Sequence, residues 1–204
     1  MVMTAFWEKH YRGRRAGGRV NPLLAEIAAP LPAGTALDLG CGTGGDTIWL
    51  ARRGWRVTAV DIAHTAIDRL LIHAAEAGLA DRVVAEQHDL AVSFPGGTFD
   101  LVSAQYLHTP FTLDRAAVLR TAASALRPGG LLLVVDHGST MPWSWNQDPD
   151  AVFPTPEEIA AGIGLDPEGW RVVRADMPRR RAVGPNGQTA TVTDNVLVIQ
   201  RSAG

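Results

Sequence analysis

The strongest constraint on this chain is a glycine-rich turn between a short apolar run and a helical pattern. Residues 35–46 contain four glycines within six positions, after an apolar segment that ends at Leu39. A helical pattern starts at Thr47. Glycines allow a sharp turn and let a ligand lie directly against the backbone. The stretch therefore predicts a strand, a ligand-binding turn and a helix.

An acidic residue ends the next apolar run. Asp61 follows Asp38 by 23 positions. This is close to the spacing at which a carboxylate meets the ribose hydroxyls in nucleotide-binding folds. Together with the glycine turn, it predicts a site for a cofactor that contains adenosine.

The glycine spacing alone leaves two cofactor classes open. Gly40, Gly42 and Gly45 satisfy the G-x-G-x-x-G pattern of dinucleotide-binding proteins. Asp38 precedes these glycines, and a carboxylate there would repel a pyrophosphate but can pair with a cationic ligand. A nicotinamide-dependent oxidoreductase therefore stays as the alternative to an enzyme with a cationic cofactor.

The same stretch resembles the first motif of class I S-adenosylmethionine-dependent methyltransferases, which is an acidic residue followed by Gly-x-Gly-x-Gly. The matching residues are Asp38, Gly40, Gly42 and Gly44. The resemblance is specific at residues 37–46, 61 and 126–134. It implies a Rossmann-like α/β fold, S-adenosylmethionine as the cofactor and methyl transfer as the reaction.

The order of the predicted elements supports this fold. Short apolar strands alternate with helices, which is typical of a parallel sheet covered on both faces. Seven strands are predicted, at 35–39, 56–61, 82–87, 98–104, 131–135, 170–175 and 189–201. The last two are separated by a turn at 184–187 without a helix, so they must be antiparallel. A parallel sheet that ends in an antiparallel hairpin is the arrangement of class I methyltransferases.

Bulk properties narrow the function further. The 204 residues suit one domain over 1–204, in which 1–20 form an N-terminal lid. A net charge of −2 gives no reason to expect nucleic acid, and we interpret the basic run 179–181 as a solvated strand end. One cysteine, no signal peptide and no apolar run that could span a membrane predict a cytoplasmic protein. The richness in Ala, Arg and Gly indicates a GC-rich bacterial genome. We expect a monomer or a weak homodimer.

The resemblance also assigns cofactor contacts at the strand ends. The glycine turn would lie under the methionyl part and the ribose, Asp61 would accept both ribose hydroxyls, and Asp89 would accept from the adenine amino group. The alternatives are a helix cap for Asp61 and an ordinary turn for Asp89. The full expected set is Asp38, Gly40, Cys41, Gly42, Thr43, Gly44, Asp61, Ile62, Asp89, Leu90, Ala104, Trp7 and Tyr11.

Two residues after the fourth strand are the candidates for catalysis. Tyr106 and His108 belong to the segment that faces the sulfonium and the substrate in such enzymes, although a structural role is the alternative. His137, after the fifth strand, is a weaker candidate. Methyl transfer requires mainly alignment, and a base only where the acceptor must lose a proton. The six histidines show no metal-ligand spacing, so no metal is expected.

The acceptor is predicted to be a small molecule. The segment 104–107 lacks the Asn/Asp-Pro-Pro-aromatic motif of enzymes that methylate base amino groups. Methylation of a cytosine carbon needs a separate nucleophilic cysteine, and Cys41, inside the glycine turn, is the only cysteine. The segment 7–11 is similar to the N-terminal helix of bacterial small-molecule methyltransferases, including the tellurite-resistance and thiopurine types. Sulfur or another chalcogen is preferred as the acceptor atom, before oxygen or nitrogen. A non-catalytic protein that binds S-adenosylmethionine is a further alternative.

Aromatic and basic residues on both sides of the core are candidates for the walls of the acceptor site. The first group belongs to the N-terminal lid and consists of Trp7, Tyr11, Arg14, Arg15 and Arg19. The second group follows the fifth strand and consists of Trp143, Trp145 and Phe153. The alternative is that these aromatic residues cover exposed edges of the core.

Overall fold

An eight-stranded sheet organises the residues that this computed structural model describes, which are 2–13, 18–144, 147–148 and 150–204. The strands are β1 (Thr35–Leu39), β2 (Arg56–Asp61), β3 (Val83–Gln87), β4 (Phe99–Gln105), β5 (Leu126–His137), β6 (Trp170–Asp176), β7 (Arg179–Val183) and β8 (Thr189–Arg201). Their order is β3-β2-β1-β4-β5-β8-β6, and β7 pairs with β8.

Helices cover both faces of this sheet. They are α1 (Val2–Arg12), α2 (Pro22–Ala28), α3 (Gly45–Arg52), α4 (His64–Glu76), α5 (Arg115–Ser124) and α6 (Pro156–Ile163). One core layer packs under α3 and α4 around Leu50 and Leu70, and the other packs under α5 and α6 around Leu119 and Ile163. Because both faces are covered, the central strands are nearly all apolar, as the sequence predicts.

Strands β1 to β5 pair in parallel, and the order of the strands reverses at β1. The chain moves outward from β1 through β2 to β3 and then returns to place β4 on the other side of β1. In open parallel sheets, ligands bind beyond the carboxyl ends of the strands at such a reversal. The glycine turn after β1 lies at this point.

The predicted antiparallel ending is confirmed, but its first strand is divided. Strands β6 and β7 both pair with β8, and they are separated by Met177 and Pro178. Proline lacks the N–H that a sheet requires, and its carbonyl accepts from the Asp194 N–H at 3.0 Å. The sheet therefore has eight described strands instead of the seven predicted.

The hairpin formed by β7 and β8 extends beyond the parallel part of the sheet. His137, the last residue of β5, pairs with Asp194, and β7 pairs with residues 189–193 of β8. The hairpin therefore projects past the carboxyl end of β5, on the side of the glycine turn. Strand β5 also starts earlier than predicted, at Leu126, and a register shift against β4 accommodates residues 127–130.

Local signals explain where several helices begin. Thr155 and Glu158 form a capping box at α6, and Asn21 caps α2 by accepting from the Leu23 N–H at 2.9 Å. Helix α4 begins after Ala63, which has no side-chain cap. Glu8 of α1 supplies one, because its carboxylate accepts from the His64 N–H at 2.6 Å. Among the described helices, none combines the length and apolar character needed to cross a membrane.

Two glycines offer a matched test of the turn before α3. Gly44 and Gly78 both have positive φ, at 89° and 68°. A Cβ atom at Gly44 would lie 2.3 Å from Leu70 Cδ1, whereas a Cβ atom at Gly78 would meet nothing within 4 Å. Both alanine variants incur the cost of a left-handed backbone, about 1–2 kcal/mol, and only Gly44→Ala adds overpacking of about 1–3 kcal/mol.

We therefore expect Gly44→Ala to lower the free energy of unfolding in urea by more than Gly78→Ala does. Equal losses for the two variants would show that the turn can move away from Leu70 without cost.

Candidate active site

Asp61 connects the glycine turn, the start of α4 and helix α1. Its Oδ1 accepts from the Ala63 N–H at 2.9 Å, and its Oδ2 accepts from the Gly42 N–H at 3.0 Å. The Tyr11 hydroxyl donates to the same Oδ2 at 3.4 Å. Burial raises the pKa of Asp61, although these hydrogen bonds partly oppose the shift. Asp61 thus does contact the beginning of the next helix, and it also faces the turn.

The glycine turn lies close to its neighbours at Gly40 and Gly42, which carry no side chains. The Gly40 and Cys41 N–H groups both donate to the Val60 carbonyl at 2.9 Å. A Cβ atom at Gly40 would lie 2.9 Å from Leu107 Cδ1, and one at Gly42 would lie 3.3 Å from the Tyr11 hydroxyl. The turn can therefore present bare backbone to a ligand only with glycine at these positions.

A first cavity, the apolar cleft, lies between α1 and the ends of the parallel strands and measures about 90 Å³. It brings together most of the residues assigned to the nucleoside. Its walls include Trp7, Tyr11, Gly40, Asp61, Ile62, Asp89, Leu90, Tyr106, Leu107 and His108. His88 also lines it, and its ring nitrogens contact Ser93 Oγ and Glu86 Oε2, both at 2.9 Å. Asp89 accepts from the Ala91 N–H at 3.0 Å, so its side chain stabilises a turn and also lines the cleft.

A second cavity, the polar cleft, measures about 410 Å³ and shares Gly40 and Tyr106 with the first. Its walls carry side chains of both signs. They include Arg19, Asn21, Asp38, Cys41, Thr43, Asp46 and Arg180. Asp46 accepts from the Asn21 N–H at 2.6 Å, and the Asn21 amide donates to Gln105 Oε1 at 2.8 Å. Such a cleft suits a ligand that itself carries both charges.

Burial alters the acidity of the two polar-cleft residues beside the turn. Asp38 is 2% exposed and accepts from the Thr47 hydroxyl at 2.6 Å. Burial, together with the charge of Asp46, raises the pKa of Asp38 to about 7. Burial also raises the pKa of the Cys41 thiol, and Asp38 adds to that shift. Cys41 is therefore a protonated thiol at neutral pH, which agrees with a packing role.

Several residues predicted to contact the cofactor or the acceptor do not line either cleft. Ala104 is completely buried within β4 and leaves no surface for a ligand. Gly44 caps α3 and packs against Leu70 without lining either cleft. Trp143 lies near Gly184, in the turn between β7 and β8, and Phe153 lines neither cleft. Arg14, Arg15 and Trp145 fall outside the described residues.

His108 has a buried carboxylate partner that was not predicted. Its Nε2 lies 3.3 Å from Asp136 Oδ1, and Asp136 also accepts from Arg115 Nη2 at 2.6 Å. Although burial opposes it, the hydrogen bond from His108 and the charge of Arg115 lower the pKa of Asp136. Asp136 is thus a carboxylate at neutral pH that orients the His108 ring toward the apolar cleft.

Tyr106 is held by residues of the terminal hairpin. Its hydroxyl donates to Asp194 Oδ1 at 3.0 Å, and Arg180 Nη2 donates to the same hydroxyl at 3.2 Å. Its ring stacks on His137 with a centroid distance of 4.3 Å. Burial and the charge of Asp194 raise the pKa of Tyr106 to about 12, so the phenol stays protonated.

The interpretation of the basic run as solvated is wrong for its middle residue. Arg180 turns inward and pairs with the buried Asp194, whereas Arg179 and Arg181 are exposed. Successive side chains of a strand point to opposite faces, so the sequence could have predicted that Arg180 faces away from Arg179 and Arg181. Among the described residues, no group of three or more His, Cys, Asp or Glu side chains is placed to hold a metal ion.

Residues 36–130 match a protein-family model described as a methyltransferase domain. The chain carries a class I methyltransferase domain. The family predicted from the glycine turn is confirmed, and with it S-adenosylmethionine as the cofactor. The match stops at residue 130, so it includes neither the hairpin nor Asp136.

Two curated relatives and one solved structure show the range of the family. The chain is 36% identical over 119 residues to a ubiquinone biosynthesis O-methyltransferase of Xanthomonas campestris pv. campestris (strain B100), covering 57% of this chain and 47% of that protein. It is 35% identical over 143 residues to the 27-O-demethylrifamycin SV methyltransferase of Amycolatopsis mediterranei (strain S699), covering 67% and 52%. The chain thus spans about half the length of these relatives.

The solved structure covers nearly the whole chain. It was reported for the conversion of a disulfide bond into a thioacetal group during echinomycin biosynthesis. Its TM-score is 0.72 at 26% identity, with 99% of this chain and 94% of that chain covered. The similarity therefore includes the terminal hairpin as well as the parallel half of the sheet.

The raised pKa of Asp38 generates a testable pH dependence of stability. Its carboxyl titrates near 3.8 when unfolded and at about 7 when folded. Between these values the folded state binds the extra proton, so stability from this group is lost as pH rises. Asp38→Asn removes this loss, and its unfolding free energy relative to the parent should increase by about 1–3 kcal/mol between pH 5 and pH 8.

Urea unfolding at the two pH values measures this difference, and Asp81→Asn at an exposed position is the control. A difference between Asp38→Asn and the parent that does not change with pH would contradict the assignment.

Proposed function

We propose that the chain transfers a methyl group from S-adenosylmethionine to a small-molecule acceptor. The observation that carries the proposal is the position of the Asp61 carboxylate, which faces the apolar cleft beside the bare glycine turn. Its longest hydrogen bond, 3.4 Å from Tyr11, is the one that a ribose hydroxyl would replace. Buried carboxylates at this place in the fold suit a pair of sugar hydroxyls.

The two clefts fit the two ends of this cofactor. The apolar cleft offers Ile62 and Leu90 for the faces of an adenine and Asp89 for its amino group. The polar cleft offers Asp38 for an ammonium group and Arg19 for a carboxylate. When bound, S-adenosylmethionine supplies an electrophilic methyl group on a positively charged sulfur.

The chain itself contributes alignment, exclusion of water and a base. Helix α1 covers the apolar cleft and is held there by Glu8, which contacts the start of α4. Closing a site in this way keeps water out and holds two reactants in one orientation. His108, oriented by Asp136, is the candidate for removing a proton from the acceptor.

We infer that the acceptor atom is oxygen. A hydroxyl becomes a good nucleophile only as its proton leaves, and the His108–Asp136 pair faces the cleft in which the acceptor would lie. Both curated relatives are O-methyltransferases by name. The ion pairs beside His108 and Tyr106 neutralise their own charges, Asp136 with Arg115 and Asp194 with Arg180, so a neutral acceptor is favoured.

Sulfur, which was predicted from the sequence as the preferred acceptor atom, is the second candidate. The solved structure that covers nearly the whole chain was reported for a reaction of a disulfide. A neutral disulfide or thioether sulfur has a free electron pair and needs no base to accept a methyl group. The two candidates therefore differ in their dependence on His108. A non-catalytic binding protein would show cofactor affinity without turnover on either class.

Replacing Asp61 tests the cofactor site. We expect Asp61→Ala to weaken binding of S-adenosylhomocysteine by about 1–3 kcal/mol, because the ribose hydroxyls lose a charged acceptor. Calorimetry measures the affinity, and Asp81→Ala at an exposed position serves as the control. An unchanged affinity, or tighter binding of NAD than of S-adenosylhomocysteine by the parent protein, would contradict the proposal.

Replacing His108 distinguishes the two acceptor classes. The assay follows release of S-adenosylhomocysteine with a panel of phenols, alcohols, disulfides and thioethers. We expect His108→Gln to lower kcat/KM for a hydroxyl acceptor by about 100- to 10,000-fold, the usual contribution of a general base. His64→Gln, on the exposed surface of α4, is the matched control. Turnover of disulfides or thioethers that is unaffected by His108→Gln would instead support sulfur.

A further inference from the structure

Tyr106 lies where the apolar and polar clefts meet. Among the residues that the structure describes, only Gly40 and Tyr106 line both cavities. In S-adenosylmethionine the sulfur joins the nucleoside to the methionyl part. If each part occupies the cleft that fits it, as the proposed function holds, the positively charged sulfur lies beside these two residues. Of the two, only Tyr106 has a side chain with which to meet it.

The backbone of Tyr106 adopts a conformation that needs support from elsewhere. Its φ is 50°, and no other non-glycine residue in the described part of the chain has a positive φ. Such a backbone is unfavourable for a residue with a Cβ atom and persists where the surroundings hold it. Two backbone hydrogen bonds contribute, from the Tyr106 N–H to the Val135 carbonyl and from the His108 N–H to the Tyr106 carbonyl, both at 2.7 Å.

The side chain is held from the opposite direction by the terminal hairpin. Asp194 is 1% exposed, accepts from the Tyr106 hydroxyl at 3.0 Å and pairs with Arg180 through two guanidinium nitrogens. Arg180 also donates to the same hydroxyl. The three polar groups satisfy one another, so the hydroxyl is anchored in one place and the ring has little freedom to rotate away.

We propose that Asp194 and Arg180 are positioning residues that hold the Tyr106 ring against the sulfonium end of the cofactor site. The face of an aromatic ring attracts a cation, which gives this arrangement a function in binding the charged cofactor over its neutral product. The inference rests on the proposed function. Both residues lie beyond residue 130, where the match to the family model ends.

The test uses the ratio of two affinities and needs no acceptor. S-adenosylmethionine carries the positive sulfur, and S-adenosylhomocysteine is its neutral counterpart. Calorimetry gives both affinities for the parent and for Tyr106→Phe, Asp194→Asn and Arg180→Gln. Arg181→Gln, one residue along the same strand and exposed, is the matched control. Thermal unfolding of each variant shows that it is folded.

Loss of the anchor should lower the preference for S-adenosylmethionine by about three- to tenfold in all three variants and leave Arg181→Gln unchanged. Asp194→Asn and Arg180→Gln alter the charge near the site in opposite directions. A simple charge effect would therefore move their ratios in opposite senses, and that result would overturn the proposal.

Tyr106→Phe changes no charge and removes only the anchored hydroxyl, so it remains decisive if a charged variant fails to fold. If Tyr106→Phe keeps the parent protein's ratio of affinities for S-adenosylmethionine and S-adenosylhomocysteine, the proposal is also overturned. If the parent protein binds neither molecule, the proposed function itself fails, and that outcome is distinct from an unchanged ratio.

Discussion

The carboxylate of Asp61 is the interaction on which the rest of the site depends. It joins the turn after β1 to the start of α4 through backbone N–H groups, and it meets α1 through Tyr11. A buried carboxylate is costly unless its oxygens are hydrogen-bonded, so the turn and the helix start must keep their relative positions. The side chain of Asp61 thereby fixes two of the loops at the edge of the apolar cleft.

The residues that match the family model form one part of the chain, and the terminal hairpin lies outside them. The parallel strands, the glycine turn and Asp61 fall within residues 36–130. The hairpin of β7 and β8 lies outside this range, yet it reaches back to Tyr106 through Asp194 and Arg180. The glycine turn and Asp61, which are proposed to bind the cofactor, thus lie within the matched range, and a segment outside that range completes the surroundings of Tyr106.

Much of the fold followed from local patterns. Alternating apolar strands and helices, and the turn at 184–187, predicted the parallel sheet and its antiparallel ending. Strand-end residues such as Asp61 and Asp89 were found because parallel strands bring their carboxyl ends to one edge. The networks around Tyr106 and His108 were not found. Their partners come from distant positions, such as Asp194, and they meet only because the hairpin projects past β5. The prediction that Ala104 contacts the cofactor was wrong because Ala104 is completely buried within its strand.

Helix α1 covers the apolar cleft but has no buried residue of its own. Its attachment depends on polar contacts, chiefly the Glu8 carboxylate at the first turn of α4, and on ring contacts such as that of Phe6 with Phe111. Because no residue of α1 is buried, the hydrophobic effect holds this helix less strongly than it holds the helices packed on the sheet. The attachment of α1 should therefore respond to ionic strength more than the packing of the core helices does.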